Sequence, residues 1–264
     1  MTALLLLIIC MLASAIGSVV GAGGGVIIKP VLDMFGILPV STVSFCSGCT
    51  VLGMSVCSLI RNRNDGVKLQ LKTSTALAVG AVVGGLVGKW LFELVRNTFG
   101  NERMLGAIQA IFLTIITMGV FLYVCNKDKL PSKNIKNIGL TVVIGLFLGI
   151  ISSFLGIGGG TSNVAVLFFF FSMAAKEAAK NSLYIIIFSQ ISSICSAVMT
   201  NSIPQFEWQH LICMVIGGIS GALIGAAISK RMDNKGVEKV LKLLLIVIIM
   251  IDFYNVIKYT VLFS

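Results

Sequence analysis

Hydrophobic residues fall along this chain in ten apolar segments, at about 3–22, 25–38, 42–60, 73–95, 104–125, 138–157, 161–175, 182–200, 208–229 and 238–262, parted by short polar turns. Most of these runs have roughly the 20 residues that a helix needs to cross the hydrocarbon core of a bilayer. The first run has no basic stretch ahead of it, as a secretory signal would, and is read as a retained membrane helix. Twice the pattern is interrupted. Gly21-Ala22-Gly23-Gly24-Gly25 returns 135 residues later as Gly156-Ile157-Gly158-Gly159-Gly160. Consecutive glycines break a helix, and irregular backbone at membrane depth is tolerated only when buried in protein or lining a cavity. Each cluster therefore predicts a bend between two helical pieces.

Composition sharpens this to an all-α polytopic membrane protein. Of 264 residues, 57% are hydrophobic and 11% charged, with a mean hydropathy of +1.02, too little charge to cover a soluble domain. The net charge of +10 is confined. Arg61, Arg63, Lys68 and Lys72 share one loop, and Lys127, Lys129, Lys133 and Lys136 a second. Lys176 and Lys180 mark a third, and Lys230, Arg231, Lys235, Lys239 and Lys242 a fourth, so four loops hold 15 of the 20 basic residues. Such clustering marks cytoplasmic loops, not a nucleic-acid surface. With those loops inside, both termini fall outside. Each half then opens with a glycine-broken hairpin and continues with three transmembrane helices. The expected architecture is two inverted-topology repeats, residues 1–126 and 138–264, joined by a cytoplasmic loop at 127–137.

Further matches support the pairing. Ser55-Val56-Cys57-Ser58 matches Ser193-Ile194-Cys195-Ser196, and Gly80, Gly84 and Gly88 match Gly217, Gly221 and Gly225. Glu102-Arg103 matches Glu238-Lys239, and Tyr123 matches Tyr259, all at offsets of 135 to 138. Glycines four apart lie on one helix face and let two backbones approach closely.

The two breaks read G-A-G-G-G-V-I-I-K-P from Gly21 to Pro30 and G-I-G-G-G-T-S-N-V-A from Gly156 to Ala165. This doubled pattern, with the small-residue stretches at 41–58 and 174–196, resembles the sulfite exporter TauE/SafE family of membrane transporters. Ala165 stands where a second proline would complete the motif. The resemblance implies transport of a small sulfur-containing anion such as sulfite or a sulfonate. Elementary electrostatics points the same way, because a helix start presents unpaired N–H groups and a partial positive charge. Two such starts meeting near the midplane suit an oxyanion. The candidate substrate-binding residues are Gly23, Gly24, Gly25, Lys29 and Ser44 from the first half. The second half contributes Gly158, Gly159, Gly160, Thr161, Ser162, Asn163 and Ser182. Thr161, Ser162 and Asn163 serve equally as helix caps, and Asn181 and Gln190 as cavity donors or interhelical hydrogen bonds.

Charges inside apolar segments are costly. Lys29 and Asp33, four apart, suit an ion pair, with Lys29 also placed to offer a fixed charge to an anion. Lys89 and Glu93 are expected to snorkel to the outer interface. Asp252 lies roughly 20 Å along the last helix and is a candidate for coupling to a proton or cation. No nucleophile–base pair, metal-ligand spacing or phosphate loop is evident, so no enzyme activity and no cofactor are expected. The expected function is a secondary transporter in the plasma membrane, working by alternating access. Its partners are a small anionic substrate, a coupling proton or cation, and the bilayer, with oligomeric state open. A passive anion channel is one alternative. A membrane thiol-disulfide conduit through Cys46, Cys49 and Cys195 is the other, against which cysteine commonly acts as a small hydrophobe in apolar runs.

Overall fold

In the computed structural model the described residues are 2–129 and 132–260; positions 130–131 of the connecting loop and 261–262 of the last apolar segment lie outside them. The described residues form ten α-helices, one turn of 3-10 helix and no strand. The first half contains α1 (Thr2–Val20), α2 (Gly25–Phe35), α3 (Val40–Arg61), α4 (Leu71–Phe99) and α5 (Glu102–Asn126). The second contains α6 (Ile138–Leu155), α7 (Gly160–Phe171), α8 (Ala175–Met199), α9 (Trp208–Arg231) and α10 (Asn234–Thr260). Eight of these are long and apolar enough to cross a membrane, and the chain is a multi-pass membrane protein.

The exceptions are α2 and α7, with 11 and 12 residues, about 16–18 Å long, little more than half the hydrocarbon thickness. Both stop earlier than hydropathy alone suggests. Gly36 takes a left-handed conformation at φ 64° and ends α2, and Ser172 does the same at φ 52° for α7. Conversely α4 runs past its apolar stretch at both ends, carrying Lys89, Glu93 and Arg96 within the helix.

The glycine series explains the tightest packing. A methyl group placed on Gly80, Gly84 or Gly88 would collide with the carbonyls of Val142, Leu146 and Ile150, so α6 runs parallel to α4 with backbones in contact. On Gly217, Gly221 or Gly225 it would collide with the carbonyls of Leu7, Met11 and Ala15, so α1 runs parallel to α9. In lipid, where apolar burial drives little, such close approach is a main source of helix association. The first helix of each half thus lies against the fourth helix of the other. Antiparallel to each other, α5 and α10 are pinned by Tyr259 on Gly106 at one end and a Lys127–Glu238 ion pair at the other. Helix α2 packs on α10, and α7 on α5. Apolar side chains such as Leu4, Ile115, Phe147 and Leu243 are exposed on the perimeter, as lipid-facing residues must be.

Candidate functional site

The glycine clusters make the two bends. Gly21 and Gly23 leave α1 at φ 71° and 66°, and Gly156, Gly158 and Gly159 leave α6 at φ 65°, 78° and 90°. A residue bearing a Cβ is strained in that region. The two bends touch. A methyl on Gly25 would strike the Ile157 carbonyl, and one on Gly160 would strike Val26; one on Gly23 would come within 4.0 Å of the Gly158 carbonyl oxygen. The helices that start there, α2 and α7, direct their first-turn N–H groups into this region, where helix starts lack intrahelical acceptors. One of the N–H groups, that of Gly24, is already taken, donating to Met54 Sδ at 2.9 Å.

Two side chains wedge into the crossing. Val51 from α3 lies within 3.3 Å of a methyl placed on Gly23 and within 2.5 Å of one on Gly158, and Ile186 from α8 within 3.3 Å of the former. Both are fully buried.

On either side of this apolar wedge lies a small cavity. The first is lined by Ser41, Ser44, Phe45 and Gly48 of α3, Lys89 and Phe92 of α4, Ser153 and Gly156 at the second break, and Gln190, Ser193, Ile194 and Ala197 of α8. The other is lined by Lys176, Ala179, Lys180 and Leu183 of α8, Ser229 of α9, Ser18 of α1, and Asn62, Asp65 and Val67 after α3. Several lining positions of the two cavities coincide at the 135-residue offset of the glycine clusters. Ser41, Ser44, Phe45 and Gly48 correspond to Lys176, Ala179, Lys180 and Leu183, and Ser153 to Ser18. The cavities sit at opposite ends of α3 and α8, roughly 20–25 Å apart by helix rise. They hold about 30 and 20 Å³, room for roughly one or two waters each.

Each mouth is tied by charge. At the second cavity Lys180 Nζ donates to Asp65 Oδ1 at 2.6 Å, to the Asn62 carbonyl at 2.7 Å and to the Val67 carbonyl at 3.0 Å. At the first, Ser41 donates through N and Oγ to Glu102 at 3.0 and 2.7 Å, Arg96 lies 3.8 Å from Glu102, and Lys89 pairs with Glu93 at 2.7 Å.

Of the residues singled out from sequence, Gly23, Gly24, Gly25, Gly158, Gly159 and Gly160 lie at the crossing. Ser44 faces Gly156, within 2.8 Å of a methyl placed there, and its hydroxyl has no partner among the described residues. Ser182 is fully buried with an unpartnered hydroxyl, and Asn163 folds over Gly159 with Oδ1 unpartnered. Buried hydroxyls without an acceptor are costly unless a ligand or water completes them, and an oxyanion supplies acceptors. Thr161 is buried at the start of α7, while Ser162 turns back and donates to the Gly159 carbonyl at 2.6 Å. Lys29 is 2% exposed and pairs with Asp33 at 2.7 Å, on the α2 face that meets α10. Asp252 is buried on that same interface. Asn181 is an interhelical hydrogen-bond hub, accepting from Gln70 N and Ser74 Oγ, and Gln190 donates to Ser152 at 3.3 Å.

One expectation is corrected. Lys89 does not snorkel outward; it is 8% exposed, held by Glu93 and the Phe92 ring, and faces the first cavity. Burial is tolerable because the helix supplies its counter-charge one turn away. All seven cysteines are free.

A family model described as Sulfite exporter TauE/SafE matches residues 6–251. The chain is 23% identical over 273 aligned positions, covering 94% of this chain and 96% of the relative, to "Probable membrane transporter protein YunE" of Bacillus subtilis (strain 168). It is 31% identical over 114 positions, 42% of this chain and 24% of the relative, to "Sulfite exporter TauE/SafE family protein 2" of Arabidopsis thaliana. No solved structure matches it.

Proposed function

The chain belongs to the sulfite exporter TauE/SafE family, and from that premise we propose that it is a secondary transporter that carries a small anion across the plasma membrane by alternating access. Sulfite, a sulfonate or another organosulfur anion is the cargo that the family and the helix starts together favour. The observation that carries the mechanism is the pair of equivalent cavities at opposite ends of α3 and α8, with Val51 and Ile186 between them. In this reading the halves are inverted repeats, with both termini on the side opposite the basic loops. Opening one cavity while the other stays shut would expose the crossing to one side at a time.

The anion would rest at the starts of α2 and α7, against the N–H groups around Gly24, Gly25, Gly160 and Thr161. Ser44 and Ser182 would add hydroxyl donors and Asn163 its Nδ2 amide, while Lys89 is already paired with Glu93. Lys29 acts at longer range, since Asp33 holds its ammonium group.

Counterflow in proteoliposomes tests this. Vesicles loaded with unlabelled sulfite, sulfate or short sulfonates should accumulate the matching labelled anion transiently, and Gly158→Leu should abolish it. Flux without counterflow would point instead to a channel, and no counterflow with any anion of the panel would refute the transporter reading.

A further inference from the structure

Three polar groups on α10 face α2, two of them buried and Lys258 half-buried. Asp252, Asn255 and Lys258 are spaced three apart and so share one helix face. Asn255 Nδ2 donates to the Pro30 carbonyl at 2.8 Å, and Lys258 Nζ to the carbonyls of Asp33 and Met34 at 2.7 and 3.1 Å. These bonds lay the α10 face along Lys29 and Asp33.

Asp252 is left over. It is 1% exposed, its Oδ2 is buried without a partner, and among the described residues no donor reaches its carboxyl group. Lys29, the cation close enough to act on it, is bound to Asp33. An ionised carboxylate in that setting lacks both a hydrogen bond and a counter-ion, which burial makes expensive. A carboxylic acid does not carry that cost.

Among the described residues, the other elements packed on α10 offer Asp252 no compensating charge. Between Arg103 and Lys127, α5 has no Asp, Glu, Lys, Arg or His, its titratable Tyr123 and Cys125 lying toward the Lys127 end. In α1 the titratable group is the Cys10 thiol. The start of α8 meets the start of α10 where Lys176 bonds Asn234 and Met232, about 27 Å along the helix from Asp252. Glu102, an anion, acts on Asp33, and Tyr259 packs on Gly106.

We propose that Asp252 is a proton-binding site, protonated in this closed conformation, and that Lys29 is shared between Asp33 and Asp252 as α2 shifts against α10. When Lys29 turns to Asp252, the proton leaves to water and Asp33 stays ionised beside the Lys258 ammonium group, which already bonds the Asp33 carbonyl; when Lys29 returns to Asp33, a proton from water rebinds to Asp252. A metal cation is a poorer occupant. The unpartnered oxygens are Asp33 Oδ1, Asp252 Oδ2 and Asn255 Oδ1, short of the six to eight oxygens a calcium-like ion takes, and an ammonium group already stands beside them. Proton binding stands on this geometry, whereas its coupling to anion movement rests on the transporter reading above.

Infrared spectroscopy on the purified protein in nanodiscs tests the site without transport. The wild type should show a protonated-carboxyl C=O band at neutral pH that Asp252→Asn removes, and that Asp252→Glu keeps, shifted. Absence of the band from the wild type, or its full survival in Asp252→Asn, overturns the proposal. In proteoliposomes a gradient of one pH unit should drive up to about tenfold accumulation for one coupled proton. Asp252→Asn should lose that accumulation and keep counterflow; unchanged accumulation in Asp252→Asn overturns the coupling. A wild type without counterflow would sink the transporter reading alone, leaving the infrared result to judge the site.

Discussion

Replacing Lys180 by methionine should unlatch the cavity on the basic-loop side. Its ammonium group ties the start of α8 to the end of α3 and the loop beyond through three bonds of 2.6 to 3.0 Å. The Lys180 and Asp65 side chains are 9% and 12% exposed, so little solvent screens them. Removing one partner of a buried pair costs about 3–5 kcal/mol. The low end applies here, because Asp65 regains water as the mouth opens. Methionine keeps the apolar stem of the side chain, so the loss falls on the closed form, while in an open form both charges would be hydrated already. A shift of about 3 kcal/mol changes the closed-to-open ratio roughly 150-fold. In a cysteine-free background, Ser18→Cys places a thiol in that cavity, where it is 2% exposed when closed. Its rate of reaction with a membrane-impermeant maleimide added on the basic-loop side should rise by about two orders of magnitude with Lys180→Met. An unchanged rate in folded protein, or an equal rise from the opposite side, would refute the latch.

Other substitutions probe the remaining parts. Gly84→Leu must push α6 away from α4 and should lower the melting temperature sharply in detergent; Gly119→Leu, which meets open space, should leave it nearly unchanged. Val51→Ala removes two methylene equivalents, about 1.6 kcal/mol of apolar contact, from the wedge between the cavities. It should add a non-saturating leak detectable as anion efflux without exchange. Substituting all seven cysteines should leave counterflow intact, and complete loss of counterflow in folded protein would revive the thiol-disulfide reading.

Much of the fold was legible because glycine leaves few options in an apolar run. The breaks, the two short helices and the Gly80–Gly84–Gly88 contact face all follow from spacing. Helix ends were less legible, since Ser172 in a left-handed conformation has no sequence signature comparable to that of Gly36. Lys89 was misplaced because snorkelling depends on whether a helix end reaches the interface, which tertiary packing decides. Lys180 was hidden among loop charges, where a latch and a topology signal have the same composition. Val51 and Ile186 are ordinary apolar residues; only their offset of 135, equal to that of the glycine clusters, set them apart.

The exchanged pairing of α1 with α9 and α6 with α4 bears on how the protein is made. Helix α4 has its partner soon, because α6 begins at Ile138, one helix later. Helix α1 is synthesised well before the glycine face that receives it, which belongs to α9, a helix that begins at Trp208. Through most of translation α1 therefore sits in the bilayer without its closest neighbour, and the stretch through Leu7, Met11 and Ala15 that meets α9 faces lipid or an insertase. The first half cannot close on itself, so a ribosome stalled midway would leave an intermediate marked for membrane quality control. Separately expressed halves should assemble only when both are present, with α1 locking last.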